Sequence, residues 1–123
     1  MVKVGIVGNR KRNDLGDYHV VRDKFLELTY GTHLDSIIII SGGCPTGADM
    51  FADMLSRRYS IPLITHKADW FHKGPTAGFI RNQKIARDSD ILIACVSKER
   101  KGGTEDTVKK FVRLKGDKNL YLV

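Results

Sequence analysis

The chain is poor in the residues that would place it in a special class. Its 123 residues include two cysteines, three prolines and one tryptophan. Two cysteines exclude a disulfide scaffold, and neither Cys44 nor Cys95 belongs to a metal-ligand spacing, so both read as reduced, small, buried side chains at strand ends. No apolar run approaches the roughly 18 residues of a membrane-spanning helix. No charged-then-apolar leader precedes the first strand pattern, VKVGIVG, which predicts a cytoplasmic protein with no membrane partner. Repeats, linkers and low-complexity tracts are also missing, so residues 1–123 read as a single domain with a core of its own. Acids are scarce relative to bases, 14 against 21, for a net charge of +7. That excess favours an anionic partner, either a phosphorylated small molecule or nucleic acid.

What is present alternates regularly. Residues 2–7 are nearly all apolar, as in a strand buried on both faces of a parallel sheet. Tyr18, Val21, Phe25 and Leu28 then recur at helical spacing, and Gly31 closes that segment. Four isoleucines, Ile37 to Ile40, give a second buried strand ending at Ser41. Ala48, Phe51, Ala52, Leu55 and Tyr59 form the clearest helical stripe, with Asp49, Asp53, Arg57 and Arg58 mostly outward. Pro62 opens a third strand, Asp90 to Val96 reads as a fourth and Asn119 to Val123 as a fifth. The last helix is expected to turn Val108, Phe111, Val112 and Leu114 inward. This pattern predicts an α/β fold, a three-layer Rossmann-like sandwich on a five-stranded parallel sheet of order 3-2-1-4-5. Its switch point lies between strands one and four, where ligands bind outside the carboxyl ends of the strands.

The unusual residues gather at that edge. After strand one come Gly8, Asn9 and Arg10. After strand two, Ser41, Gly42, Gly43, Thr46 and Gly47 lead into a helix with Asp49 in its first turn. Strand, glycine turn and helix N-terminus make an anion cradle of free backbone N–H groups, without the lysine of a Walker loop or the three glycines of a dinucleotide fingerprint. Asp69 and Trp70 follow strand three, offering a carboxylate for ribose hydroxyls and an indole face for a base, or else simply a core tryptophan. Gly102, Gly103 and Thr104 form a second cradle after strand four. Arg10 and Arg81 suit phosphate or ribose because a guanidinium is a planar, permanently charged fork. The basic residues Lys11, Arg12, Lys98, Arg100 and Lys101 are expected to flank the same mouth, as a funnel for a polyanion, a nucleic-acid strip or a solvated face. His66, Asp69 and His72 match no standard metal site, and Cys44 has no evident histidine partner for nucleophilic work. No metal or cofactor is expected.

These segments, Gly8-Asn9-Arg10, Ser41 to Asp49 (SGGCPTGAD), Ala68-Asp69-Trp70, Ala77 to Asn82 (AGFIRN) and Gly103-Thr104, resemble in order the motifs of the SLOG superfamily of Rossmann-like domains, and within it the small YpsA-related branch. The resemblance spans nearly the whole chain. It implies a pocket for nucleotide or nucleotide-derived ligands (ADP-ribose, NAD or nucleoside monophosphate class), sensed or hydrolysed at the N-glycosidic bond. Relatives include phosphoribohydrolases and the Rossmann domain of a DNA-processing protein that binds single-stranded DNA, which gives the alternative of a nucleic-acid-binding module. In the phosphoribohydrolases an arginine on the third helix and a glutamate three residues past the Gly-Thr pair carry the chemistry. Arg81 matches the first, whereas the second position holds Thr107, with Glu105 and Asp106 nearby. If the chain is an enzyme, Asp69 with Arg81 is then the expected catalytic pair, Glu105 or Asp49 being the other carboxylates in range and Asn82 positioning a hydroxyl. A homo-oligomer is compatible with this reading.

Overall fold

Short, largely apolar runs become strands, and the computed structural model, which covers residues 1–123, contains five: β1 (Val2–Gly8), β2 (Ile37–Ser41), β3 (Leu63–Thr65), β4 (Ile91–Cys95) and β5 (Leu120–Leu122). Every neighbouring pair is parallel, in the order β3-β2-β1-β4-β5. Five helices connect them: α1 (Leu15–Thr29), α2 (Ala48–Tyr59), α3 (Trp70–Lys73), α4 (Ala77–Asp88) and α5 (Gly103–Lys115). This is the Rossmann-like arrangement that the alternation predicts. No helix is long and apolar enough to cross a membrane.

Strand side chains alternate between two cores, which fixes the three layers. Val4 and Ile6 of β1, Ile37 and Ile39 of β2, and Ile93 and Cys95 of β4 face one way, against Val21 and Phe25 of α1 and Phe51 and Leu55 of α2. Val7, Ile40, Leu92 and Ala94 face the other way, against Ile85 of α4 and Val108 and Phe111 of α5. Register keeps the alternation in step, Val4 pairing with Ile39 on one side and Ile91 on the other. Phe25, Phe51 and Phe111 are the largest fully buried side chains. Truncating any of them to alanine costs about 3–5 kcal/mol in cores of this kind.

Local signals set the helix ends. Asp14 caps α1, accepting a hydrogen bond from the Asp17 N–H at 2.8 Å while Asp17 accepts in return from the Asp14 N–H. Three features differ from the sequence reading. A single 3₁₀ turn, Leu34–Ser36, precedes β2. The segment after β3 holds two helices, because the Asp69 carboxylate caps the short α3 and Gly74–Thr76 forms a 3₁₀ turn before α4. Val112 and Leu114, expected inward, are exposed, since the stripe that faces the sheet runs through Thr107, Val108 and Phe111.

Candidate functional site

The carboxyl edge is assembled by packing loops against one another, and two glycines permit it. A Cβ on Gly8 would lie 2.7 Å from the Cβ of Ala48, so its absence lets the start of α2 rest directly on β1. Gly47 has φ of +71°, and a Cβ there would lie 3.1 Å from the Asn9 carbonyl oxygen. The loop after β1 and the loop after β2 are thereby stitched together, with the Asn13 side chain accepting a hydrogen bond from the Gly47 N–H at 2.6 Å. Asn9 holds the first loop in shape, accepting from the Lys11 N–H through Oδ1 and donating its own N–H to the Cys95 carbonyl.

The glycine loop after β2 differs in detail from the cradle expected of it. Asp49, expected outward, turns back beneath the loop and accepts from the Cys44 N–H at 2.9 Å and the Gly42 N–H at 3.4 Å. Those two donors therefore serve an internal carboxylate. Burial pushes the Asp49 pKa above the usual 3.8, against the opposing pull of these N–H groups, the Arg81 charge and the Ser41 hydroxyl. The helix N–H groups without an intrahelical partner are those of the first turns of α2 (Ala48, Asp49, Met50) and α5 (Gly103, Thr104, Glu105), neither helix having a side-chain cap. Cys44, expected buried at a strand end, is half-buried on this loop with its thiol 3.7 Å from the Thr46 hydroxyl.

Arg81 crosses from α4 towards Gly42. Its Nη1 donates to the Gly42 carbonyl at 3.3 Å and its Nε to Asn82 Oδ1 at 2.8 Å. Asn82, buried, passes the constraint on through Nδ2 to the Gly103 carbonyl at 3.3 Å and Asp106 Oδ2 at 3.0 Å. Lys110 completes the chain, donating to both Asp106 oxygens at 2.7 and 2.6 Å. One polar network thus ties the Arg81 guanidinium to the loops after β2 and β4.

Between these loops lies a cavity of about 330 Å³. Gly8, Asn9, Arg10, Gly42, Thr46, Asp49, Arg81, Asn82, Gly102, Gly103 and Thr104 all line it, together with Lys11, Cys44, Lys101 and Thr107. Ser41 and Gly43 instead line a second hollow of about 240 Å³ behind the loop, with Asp53, Thr65 and Lys67. Gly47 lines neither and instead holds the loops after β1 and β2 together. Asp69 and Trp70 are not brought to the cavity. The Asp69 carboxylate is exposed and bound to His72, 3.0 and 2.9 Å from its Nδ1, and the Trp70 indole lies over Gly78. Of the basic residues, Lys11 and Lys101 reach the lining. Arg12 turns away to Asp17 and the Val96 and Val123 carbonyls, and Arg100 closes onto Glu105.

Asn13 and Lys110 carry structural roles at the site that the sequence does not signal: an asparagine before a helix reads as a cap, and a lysine four residues after an aspartate reads as a surface ion pair. Compared with protein-family models, curated proteins and solved structures, the chain matches none of them.

Proposed function

We propose that this protein binds a small phosphorylated, nucleotide-like ligand in the cavity between the loops after β1, β2 and β4. The observation that carries this reading is the charge balance of the lining. Arg10, Lys11, Arg81 and Lys101 supply four cations, while Asp49, the one carboxylate among the lining residues, already accepts two backbone N–H groups. The uncapped N-terminus of α5 opens on the same space through Gly102, Gly103 and Thr104, and that of α2 borders it at Thr46 and Asp49; anions are favoured there by the helix dipoles and free N–H groups. Thr46 and Thr104 add hydroxyl donors beside them.

Size narrows the ligand class. Ligand cavities span about 300–1,000 Å³, and this one lies near the lower bound. A sugar phosphate or nucleoside monophosphate fits that volume better than ADP-ribose or NAD. The chemistry favours binding over hydrolysis. An N-glycosidic bond breaks through a cationic ribosyl transition state that needs a carboxylate beside it. The lining offers only Asp49, which is engaged, and Thr107 in place of an acid.

The test is a thermal-shift panel of AMP, ADP-ribose, NAD, cyclic nucleotides and ribose 5-phosphate, with chromatography for released base. A ligand at about a hundred times its dissociation constant adds ~2.7 kcal/mol of apparent stability. Stabilisation by the monophosphates, absent in Arg81→Ala and unaccompanied by free base, is the expected result. If ligand-free protein responds to nothing on the panel, the reading is wrong.

A further inference from the structure

The walls of the cavity are unusual in what they withhold. Ligand sites are ordinarily lined mostly by apolar and aromatic side chains, with a few polar groups that fix orientation. Here the proportion is inverted. Of 17 lining residues three are hydrophobic, Val7, Cys44 and Ile85, and none carries an aromatic or imidazole ring. Val7 is 6 % exposed and Ile85 1 %, so both belong to the core beneath the cavity and offer a ligand almost no surface. The chain's one tryptophan lies over Gly78, outside the lining. A nucleobase brings flat apolar faces that bind by stacking or by burial against carbon, and this cavity supplies neither.

The polar part of the lining is divided between donors and acceptors. Arg10, Lys11, Arg81 and Lys101 can only donate, which suits a phosphoryl group; Lys101 shares its charge with Glu99, 3.5 Å away and outside the lining. Sugar hydroxyls need an acceptor as well, and Asp49 is the one carboxylate in the lining. Its Oδ1 accepts from the Gly42 N–H, its Oδ2 from the Cys44 N–H, and the Ser41 hydroxyl donates a third bond. An ionised carboxylate has about four acceptor sites, so one is left for a hydroxyl. We infer that the cavity selects a sugar phosphate that carries no base, its phosphoryl group held by the cations and one sugar hydroxyl donating to Asp49. This rests on the phosphate-binding reading above and narrows the nucleotide-like class to its sugar-phosphate part. A nucleoside monophosphate can seat its phosphate in the same place, but its base meets no wall and adds nothing to affinity.

Calorimetric titration of the whole, ligand-free protein with inorganic phosphate, ribose 5-phosphate, AMP and UMP tests this. Ribose 5-phosphate should bind at least as tightly as either nucleotide, and about tenfold more tightly than inorganic phosphate, the increment expected of one hydrogen bond to a charged group. AMP and UMP should agree within about threefold, because neither base is read. Asp49→Asn removes the spare acceptor, since the single amide oxygen is claimed by the loop N–H groups. In that variant the affinity ratio of ribose 5-phosphate to inorganic phosphate should fall towards one. A ratio of two ligands on one variant is not moved by a general change in fold stability or net charge. If AMP or UMP binds about tenfold or more tightly than ribose 5-phosphate, the base is read and the inference is overturned while the phosphate-binding reading stands. A ratio unchanged in Asp49→Asn overturns it too, because the sugar is then not held by the carboxylate. If none of the four compounds binds, both readings fall.

Discussion

Arg81 shows how a single side chain is made specific by its neighbours. A free arginine on a helix has about 2 kcal/mol of rotamer entropy to lose on binding, and here much of it has been given up in advance to Asn82 and the Gly42 carbonyl. Lysine keeps the charge but replaces the planar fork, whose Nε and Nη1 serve Asn82 and Gly42 separately, with one donor nitrogen, so Arg81→Lys should leave the melting temperature nearly unchanged and weaken ligand-induced stabilisation by about tenfold in affinity. Asn82→Ala acts differently. It leaves the Arg81 Nε without its partner and removes the Nδ2 bonds to the Gly103 carbonyl and Asp106, and denaturant titration should report a loss of about 1–3 kcal/mol. Arg81 was legible in the sequence because a guanidinium among glycines beside a helix start has few structural uses. Asp49 was not. A carboxylate in a first helical turn is already explained by the helix dipole, so nothing in the sequence shows that it folds back to occupy the loop's own N–H groups.

At the scale of elements, the site depends on two turns held in a backbone region that only glycine enters easily. Gly47 has φ 71° and ψ −148°, and Gly102 has φ 98° and ψ −158°. Alanine at either position incurs the same kind of backbone strain, about 1–3 kcal/mol. Only at Gly47 does the added Cβ also meet a backbone oxygen, that of Asn9, whereas nothing lies within 4 Å at Gly102. Gly47→Ala should therefore destabilise the protein more than Gly102→Ala in urea titrations, and equal losses would show that the packing of the β1 loop on the β2 loop is not rigid. The glycine turns after β1, β2 and β4 could be placed from sequence because each follows an apolar strand and precedes a periodic helix. The segment after β3 could not. Four residues of α3 are too few to show a period, and its cap turns Asp69 towards His72 and away from the cavity that its position after a strand suggested.

For the molecule as a whole, topology was readable because β-branched runs and helical stripes alternate without interruption, and the right-handed crossover rule leaves few other ways to wind them. Long-range ion pairs were not readable, since they depend on which ends of the elements meet. Two buried or half-buried carboxylates make that visible as opposite responses to pH. Burial raises the pKa of Asp49, so its stabilising contribution is full below 3.8 and is lost as pH rises through the folded-state pKa; at neutral pH the fold carries a cost for keeping it ionised. Asp88 behaves in the opposite sense. Burial again pushes its pKa up, but hydrogen bonds from His66, at 2.7 Å, and from Arg87 outweigh it and hold the carboxyl below 3.8. Its contribution is present above 3.8 and lost as pH falls through the folded-state value. Urea midpoints of wild type, Asp49→Asn and Asp88→Asn across the acid range separate the two. Relative to wild type, Asp49→Asn should gain as pH rises above 3.8, because the amide keeps an acceptor for the Cys44 N–H and never pays for ionisation. Asp88→Asn should be worst above 3.8 and converge on wild type as pH falls below it. A common pH trend for both variants would mean that burial and pairing are not the opposing forces at these two positions.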